Sequence, residues 1–461
     1  MSDSTLNTPL TTNTRLSPHA SLAALGNYLK QIDLLAPIKN NLKIAQKTVK
    51  YTPFDKIRDA FLLLLTGAHR MVEINTRLRA DPALCEAFGK AECAEQSVVQ
   101  DTLDACTDQN VLEMQQAINT IFRTHSRAFS HDYQKQWQLL DIDLSGRVCG
   151  KEAEDATKGY FSDQKNAYGR QEGRVYASLY EETVCVRLFA GNTTTAAAVQ
   201  PLLADAQEAL QLTPEQRART IVRLDAGGGT LAEVNACLEA GYQYHGKDFS
   251  TARAKKLAES VETWYADPKQ PRRQIGLVSI SPTEYVRPVV RIAMRWWDKK
   301  GKAHVSVLLS SLSGKEVLDL MGVLEASSRD LCTVLLAYVH FYDQRGGGVE
   351  GGFKQDQQGL RRRNKKSFAA QAILVWLECL AHNVLMWSRG WLAVAAPVLA
   401  KYGLLRLVRD VFCIPGQLCR DSEGHLVALI LNKAHPLAAK VQQAFQELLA
   451  RQKIGVYLGE I

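Results

Sequence analysis

Apolar residues recur at three- and four-residue spacing through the first 130 residues, for example at residues 54–66 and 111–122. This spacing places the apolar side chains along one side of a helix, and strand-like runs are nearly absent there. We therefore predict a helical region over residues 18–130. Within it, Ser97 could cap a helix near residues 95–103, either as the second helix of a helix-turn-helix or as a plain bundle helix.

From residue 131 the pattern changes to short β-branched and aromatic runs that alternate with helical segments, which is typical of a mixed α/β domain. The predicted order is three strands, a helix, a strand, a helix and a further strand. These are strands at 137–143, 175–181 and 184–190, a helix at 195–210, a strand at 220–225, a helix at 230–240 and a strand at 242–245.

A second β pattern occupies residues 272–311, and it is typical of an insertion. Runs at 274–280, 285–297 and 304–309 predict strands of a separate sheet, and Lys299 to Lys302 supply a polar hairpin turn. Helical patterning resumes at residue 315 and occupies most of the remaining chain, with one short hairpin predicted within residues 408–431.

Composition adds weaker constraints. A length of 461 residues exceeds one compact core and favours several domains. Hydrophobic residues make up 46% and charged residues 23%, which is typical of a soluble globular protein and excludes wholesale disorder. The net charge of +8 favours a polyanionic partner because Lys and Arg attract phosphates. Surface solubility is the ordinary alternative.

Cysteine usage and the apolar runs indicate a cytoplasmic protein. The ten cysteines include no C-x-x-C pair, so we interpret them as reduced thiols. The Ser/Thr-rich residues 1–17 lack the basic start and apolar run of a signal peptide and are interpreted as a loose tail. Charged residues and a proline interrupt the apolar region 369–400, so we predict buried helices there and no membrane partner.

Aspartates stand at the ends of two predicted strands. The run 137–143 is apolar and carries Asp141 and Asp143, and the run 220–225 ends in Asp225 before three glycines. An unpaired carboxylate at the end of a buried strand is costly to desolvate. A bound cation would remove that cost.

A third carboxylate, Glu350, follows a glycine run. If a helix starts near Glu350, then Phe353, Lys354 and Gln357 share its face. Two carboxylates from strands and one from a helix could hold two Mg²⁺ or Mn²⁺ ions, which activate a water or a 3′-hydroxyl and stabilise the leaving oxygen in phosphoryl transfer. Taken singly, each aspartate could be a turn residue and Glu350 an acid in a helix's first turn. Their joint order favours the metal-binding interpretation.

Several of these segments match one family. Tyr342, Arg345 and Glu350, with Phe353-Lys354 and Gly359-Leu360, resemble the tyrosine, arginine, glutamate signature of bacterial insertion-sequence DDE transposases. The segments beginning at Asp143 and Leu224 look like the regions that carry the family's first and second aspartates. Residues 158–161 and 362–371 are also similar, and the likeness spans roughly residues 139–383.

The resemblance implies an α/β fold with an RNase H-like mixed sheet core, a β-rich insertion before the glutamate, and helical N-terminal and C-terminal regions. The implied divisions are a helical DNA-binding region at 18–130, the first part of the core at 131–250, the insertion at 251–335, the second part of the core at 336–400 and a C-terminal region at 401–461.

The resemblance also implies a function. It is the metal-dependent cleavage and strand transfer of DNA at insertion-sequence inverted repeats, in a cut-and-paste transposition that uses two Mg²⁺ or Mn²⁺ ions. The implied partners are double-stranded DNA with terminal inverted repeats, target DNA and a second copy of the chain, in a nucleoid-associated cytoplasmic setting.

The chain departs from the family pattern at two places. Four residues, 346–349, separate Arg345 from Glu350, one more than the usual spacing, and the glycines are candidates to absorb the extra one. Gln357 stands where the family often has a lysine, and Lys354 is a candidate to compensate. Strand alternation puts Asp141 and Asp143 on the same face, so either could bind metal. Asp143 matches the family position.

The resemblance and the charge pattern nominate DNA-binding residues around this trio. Arg345 and Lys354 are candidates for phosphate contacts, with Tyr342 positioned beside them. A dense basic cluster follows Glu350, and a solvated helix end is the alternative interpretation of it. One of two adjacent tryptophans could stack on an unpaired base, although a structural role for both is the alternative. The further candidates are Lys158, Trp296, Trp297, Arg361, Arg362, Arg363, Lys365 and Lys366.

Two other functions remain open at this point. A structure-specific nuclease of the same fold would cut DNA without strand transfer, and a catalytically inactive descendant would bind DNA only. Scattered histidines and the lack of a G-x-x-x-x-G-K-[ST] loop give no support to zinc, Ser-His or nucleotide hydrolysis.

Overall fold

The computed structural model describes residues 13–161, 164, 166–323, 330–360 and 363–461. The chain divides into two compact units. We call Ser126–Phe353 the sheet unit, and the described parts of Met1–His125 and Lys354–Ile461 together the discontinuous unit. The boundary between the units falls within one helix, after Phe353.

The N-terminal part of the discontinuous unit is mainly helical, as predicted. Local sequence explains where its helices begin: Thr52 caps one helix in a reciprocal capping box with Asp55, and Pro53 occupies the first position. The elements are β1 (Asn13–Ser17), α1 (Ala20–Gln31), α2 (Ala36–Asn41), α3 (Pro53–Leu65), α4 (Pro82–Ala87), α5 (Gln96–Asp104) and α6 (Asp108–His125).

The sheet unit alternates strands and helices. Its elements are β2 (Gln138–Val148), β3 (Thr157–Lys158), β4 (Tyr168–Ala177), β5 (Glu182–Ala190), α7 (Thr195–Leu210), α8 (Pro214–Ala218), β6 (Thr220–Leu224), α9 (Leu231–Glu239), β7 (Gln243–Lys247), α10 (Thr251–Ala258), β8 (Tyr265–Ala266), β9 (Arg273–Leu277), β10 (Val290–Trp297), β11 (Ala303–Ser310), α11 (Gly314–Leu320) and α12 (Leu331–Asp343).

The C-terminal part of the chain is helical with a small sheet. Its elements are α13 (Val349–Gly359), α14 (Phe368–Ala393), α15 (Leu404–Arg406), β12 (Gly416–Arg420), β13 (Leu426–Asn432), α16 (Ala438–Leu448) and β14 (Gly455–Gly459).

Two expectations for the discontinuous unit need correction. Residues 13–17, expected in a loose tail, form β1, which pairs with β12, and Ser17 donates a hydrogen bond to the buried Asp81 at 2.6 Å. The helix α5 is capped by Glu95 rather than by Ser97. Its apolar face packs against α3 and α14, which fits a bundle helix, and its possible role in DNA binding stays a prediction.

The apolar region 369–400 is explained by α14. Among the described residues this helix alone is long and apolar enough to cross a membrane, but 94% of its most apolar window is buried inside the protein. Burial of that extent is the environment of a core helix, as the sequence predicts.

The sheet unit has the predicted mixed α/β fold. At one end of its sheet the strand order is β5-β4-β2-β6-β7. β2, β6 and β7 are parallel to one another, and β4 is antiparallel to β2 and to β5. This is the mixed arrangement of an RNase H-like core, and its parallel pairing aligns the carboxyl ends of β6 and β7 with the middle of β2.

The β-rich block does not form a separate sheet. β11 pairs antiparallel with β7, and β10, β9 and β8 continue the same sheet. The physical reason is that β7 would otherwise expose an unpaired edge. One core cluster also spans the two parts, since it contains Ile221 of β6, Ile292 of β10 and Tyr338 of α12. The block is therefore β-rich, as predicted, but continuous with the core.

We expect this shared core to unfold as one unit. Replacing the fully buried Ile292 with Ala should cost about 3 kcal/mol of unfolding free energy. Native-state hydrogen exchange should then show weaker protection in β2 and β6 as well as in β9 to β11. Leu277→Ala, at a neighbouring position that is 37% exposed, is the control and should change little. Loss of protection confined to residues 251–335 would contradict a shared core.

Candidate active site

Two of the three predicted carboxylates lie on neighbouring parallel strands: Asp225 directly follows the end of β6, whereas Asp143, predicted to end its strand, lies within β2, which continues to Val148. In the pairing of β2 with β6, Asp141 lies opposite Arg223 as the last paired position. Asp143 and Asp225 each follow two residues later in the sequence. Parallel strands run in the same direction, so the two carboxylates leave the sheet at the same edge.

The glycine run after Asp225 fixes this carboxylate in place. Asp225 caps the short 3-10 turn Ala226–Gly228, and its Oδ1 accepts a hydrogen bond from the Gly227 N–H at 3.0 Å. A Cβ on Gly229 would lie 1.7 Å from the Lys247 carbonyl oxygen. Only glycine allows that approach, so the run packs closely on the end of β7.

Glu350 lies in the first turn of α13, as the sequence predicts. Val349 and Phe353 are buried against Tyr176 of β4, and the guanidinium carbon of Arg174 lies 4.3 Å from the centroid of the Phe353 ring. These contacts hold the start of the helix on the sheet. The Glu350 side chain stays outside the core and is 58% exposed.

Arg345 joins Asp143 to Glu350. Its side chain is only 2% exposed; Nη1 lies 3.0 Å from Glu350 Oε1, and Nη2 lies 3.4 Å from Asp143 Oδ2. Nη2 also donates a hydrogen bond to the Ile142 carbonyl oxygen at 2.8 Å. The guanidinium group of Arg345, which the sequence nominates for a phosphate contact, is therefore paired with two carboxylates of the site in this arrangement.

The glycines between Arg345 and Glu350 accommodate the extra residue in that segment. Gln344–Gly347 form a 3-10 turn. A Cβ on the next residue, Gly348, would lie 2.7 Å from Asp141 Oδ2 and 2.9 Å from Ser178 Oγ. The segment therefore packs directly against β2, where a larger residue would displace it.

The three carboxylates influence one another electrostatically. The pKa of Asp143 is raised to about 6, mainly because burial disfavours its charged form, while Asp225 and Glu350 raise it further and Arg345 lowers it. Mutual repulsion of this kind requires that the groups lie near one another. Asp143 and Glu350 thus both contact Arg345, and Asp225 raises the pKa of Asp143, while joint metal binding by the three carboxylates stays a prediction.

Hydrogen bonding distinguishes Asp141 from Asp143. Asp141 is fully buried, and its two oxygens accept hydrogen bonds from Arg223 Nε at 2.6 Å and Nη2 at 2.8 Å. Arg223 also donates to the Phe341 carbonyl oxygen at 3.1 Å, and Ser178 donates to Asp141. The Asp141 oxygens are therefore used inside the sheet, and metal binding by Asp143 stays a prediction.

The donor chemistry of the trio fits a hard divalent cation, because carboxylate oxygens are the ligands that Mg²⁺ and Mn²⁺ prefer. The three side chains do not form a compact set of ligands: among the described residues, no three acidic, histidine or cysteine side chains are grouped closely enough to hold a metal. Arg345 supplies the positive charge between Asp143 and Glu350 in this arrangement.

Comparison with known proteins identifies the family. A family model described as the transposase DDE domain, group 1, matches residues 11–453. The chain belongs to this DDE transposase family. Curated proteins gave no match. The chain is also similar to a solved structure, the piggyBac transposase synaptic complex with hairpin DNA, at 12% identity and a TM-score of 0.41, covering 94% of this chain and 82% of that one. A likeness that weak adds nothing to the assignment.

Two residues of the predicted basic cluster are structural in this transposase. Arg363 is buried and donates hydrogen bonds to the Leu360 carbonyl oxygen at 3.1 Å and to the Ala68 carbonyl oxygen at 2.5 Å. Lys365 is also buried, with Nζ 2.9 Å from Asp104 Oδ1. Their charged groups are used inside the discontinuous unit, which corrects the prediction of phosphate contacts for both.

Other predicted DNA contacts of the transposase stay predictions. Arg361 and Arg362 lie outside the described residues, and Lys354 and Lys366 are exposed. Lys158 is exposed in β3, with Nζ 5.6 Å from the centroid of the Tyr168 ring.

The two adjacent tryptophans differ in environment, as strand alternation predicts. Trp296 is half-buried and stacks on His304 with ring centroids 5.5 Å apart. Trp297 is 37% exposed. Trp297 is therefore the better candidate for contact with a DNA base.

Sequence reasoning missed one cation in the transposase site. Lys247 ends β7, the third parallel strand of this edge, and its Nζ lies 4.9 Å from the centroid of the Tyr342 ring. Tyr342 is 8% exposed, and burial raises the pKa of its hydroxyl, with the three carboxylates adding to the effect. The signal in the sequence was only that Lys247 comes two residues after the strand predicted at 242–245.

We expect Asp141 and Asp143 to respond differently to substitution. Asp141→Ala leaves the buried Arg223 without its partner and should cost about 3 to 5 kcal/mol of unfolding free energy. Asp143→Ala, two residues along the same strand, should cost much less, because Arg345 keeps its bonds to Glu350 and Ile142. Urea unfolding followed by circular dichroism measures both. A larger loss for Asp143→Ala would reverse the assignment.

The raised pKa of Asp143 has a consequence for stability in solutions that contain EDTA. The folded protein favours the protonated form of Asp143. The stabilisation of the fold by this group is therefore complete below the ordinary pKa of 3.8 and is lost as pH rises through the folded-state pKa of about 6. Asp143→Asn mimics the protonated acid and does not titrate. Its unfolding free energy should exceed that of the parent by up to about 3 kcal/mol at pH 8, and the difference should shrink toward pH 5. A difference independent of pH would contradict the shift.

Proposed function

We propose that this transposase cleaves DNA at insertion-sequence inverted repeats and joins the freed ends to target DNA, in cut-and-paste transposition. The observation that supports this most strongly is that Arg345 contacts both Asp143 and Glu350, while the parallel register of β2 and β6 aligns Asp225 with Asp143. Membership of the DDE transposase family supports the same reaction class. In the proposal these three residues bind the metal and are the catalytic residues.

The proposed cofactor is a pair of Mg²⁺ or Mn²⁺ ions. When bound, such ions activate the attacking water or 3′-hydroxyl and stabilise the leaving oxygen of an in-line displacement. Asp143 and Asp225 are suited to the task because their strands hold them in fixed positions. Glu350 is suited to it because its exposed carboxylate stands on a helix anchored by Val349 and Phe353.

Arg345 and Tyr342 position the carboxylates in this proposal. Arg345 holds Asp143 and Glu350 at set positions through its two terminal nitrogens. A tyrosine hydroxyl is protonated at neutral pH, and burial raises the pKa of Tyr342 further, so the group can donate a hydrogen bond into the site.

The proposed partners follow from the reaction. They are double-stranded DNA with terminal inverted repeats, target DNA, and a second copy of the chain, because transposition requires that two ends be brought together. The net charge of +8 supports binding to a polyanion. Lys158, Lys354, Lys366, Trp297, Arg361 and Arg362 are the proposed DNA contacts beyond the carboxylates, and the proposed setting is the cytoplasmic nucleoid.

The decisive experiment is cleavage by a Glu350→Gln variant on DNA that carries the inverted repeats flanking the chain's own reading frame. Loss of one metal-binding carboxylate should lower the single-turnover cleavage rate in Mg²⁺ at least about 100-fold. Repeat binding, measured by gel shift in EDTA, should remain. Glu262→Gln, at an exposed position of the sheet unit, is the matched control and should cleave normally.

The products separate the alternatives. Cleavage retained in Glu350→Gln would remove Glu350 from the mechanism. A parent protein that cuts without joining a labelled 3′-end to target DNA would be a structure-specific nuclease. One that binds the repeats and never cuts would be an inactive descendant.

A further inference from the structure

Lys247 stands in line with the two strand-borne carboxylates. β6 and β7 pair in parallel, with Leu224 opposite Gly246 as the last paired position. Asp225 and Lys247 are the residues that follow this last pair in the sequence, so they lie next to one another at the end of the two strands. The edge thus carries Asp143, Asp225 and Lys247 on three consecutive strands.

The backbone of Lys247 is held from two sides. Leu308 of β11 lies opposite it in the antiparallel pairing, and the next residue, Asp248, donates a hydrogen bond to the Val307 carbonyl oxygen at 2.9 Å. On the other side, the Lys247 carbonyl oxygen lies against Gly229 in the loop that carries Asp225. These contacts on both sides hold the backbone of Lys247 in place.

The ammonium group of Lys247 differs from its cationic neighbours. Arg223 is bonded to Asp141, Arg273 to Asp267 and Asp343, and Arg345 to Asp143 and Glu350; these three arginines all have carboxylate partners. Within the described part of the chain, Lys247 Nζ forms no ion pair or hydrogen bond.

The surroundings of Lys247 favour an anionic ligand. Its Nζ lies over the Tyr342 ring. Burial lowers the pKa of its ammonium group, while Asp343 and Asp225 act against that effect and Arg345 and Arg273 add to it. A partly desolvated cation without a carboxylate partner gains more from an incoming anion than a hydrated surface lysine does. Lysine binds phosphate as a compact point charge.

We infer that Lys247 binds a phosphate of the DNA strand that is cut, next to the phosphodiester held by Asp143, Asp225 and Glu350. This inference rests on the proposed function. It assigns Lys247 to the substrate, whereas a purely structural lysine would serve only to offset the charge of the neighbouring carboxylates.

The test pairs a protein change with a DNA change. Neutral methylphosphonate linkages are placed singly at each phosphate within a few nucleotides of the cut, and single-turnover cleavage and equilibrium binding are measured for each DNA. With the parent protein, one position should lower cleavage about 10- to 100-fold. Lys247→Met should lose about as much on unmodified DNA and little more at that position, because the two changes remove the same contact.

Two further variants and two further measurements complete the design. Lys247→Arg keeps the charge and should recover most of the cleavage rate. The slope of log binding constant against log salt should fall by about 1 in Lys247→Met. Lys255→Met, at an exposed position on α10, removes the same charge elsewhere and should show neither effect. Urea unfolding checks that the Lys247 variants are folded.

The outcomes distinguish this inference from the function on which it rests. If the parent cuts and joins DNA but Lys247→Met responds to every methylphosphonate as the parent does, Lys247 does not contact phosphate. If the parent binds but does not cut, and the coupling is present in the binding constants, the contact stands and the proposed cleavage fails. A parent that neither binds nor cuts the repeat DNA would overturn both.

Discussion

The parallel pairing of β2 with β6 is the constraint on which the site depends. It places Asp143 and Asp225 at one edge of the sheet, and it also places Asp141 opposite Arg223 inside the sheet. The negative charges of these buried aspartates must be compensated, since a buried carboxylate without a partner destabilises the fold by several kcal/mol. The compensation comes from Arg223 for Asp141 and from Arg345 for Asp143. The segment before α13 is therefore attached to the sheet by the same charges that give the site its chemistry.

The spacing of apolar residues predicted many of the helices and strands, and the predictions that were wrong have physical causes. The helix predicted at 195–210 agrees with α7, because Thr194 caps it and its apolar spacing is regular. The strand predicted at 175–181 overlaps β4 only at residues 175–177, because β4 begins at Tyr168, contains the buried residues Arg170, Glu172 and Arg174, and ends at Ala177. A hydrophobic pattern cannot reveal a strand whose buried residues are charged. Nor does periodicity show pairing, so the sequence could not place β11 beside β7.

The candidate site was predictable only where residue type and position coincided. Asp225 and Glu350 could be nominated because the sequence alone shows an acid at the end of a predicted strand and an acid at the start of a predicted helix. The choice of Asp143 over Asp141 depended on which residue Arg223 faces, and this is a matter of register. Arg363 and Lys365 looked like a DNA-binding cluster, but burial decides the role of a cation, and the sequence does not show burial. Lys247 was missed because a single lysine after a strand carries no pattern.

The join between β11 and β7 limits how this transposase can have diversified. The strands β8 to β11 are joined to β7 by backbone hydrogen bonds in one continuous sheet, so they are not an independent domain that could be lost or exchanged. Its loss would leave the β7 edge without partners and would uncover the core around Ile221. Relatives with different end sequences would therefore be expected to vary the solvent-facing turns of the block, such as residues 299–302, while the strands beneath keep their lengths and partners.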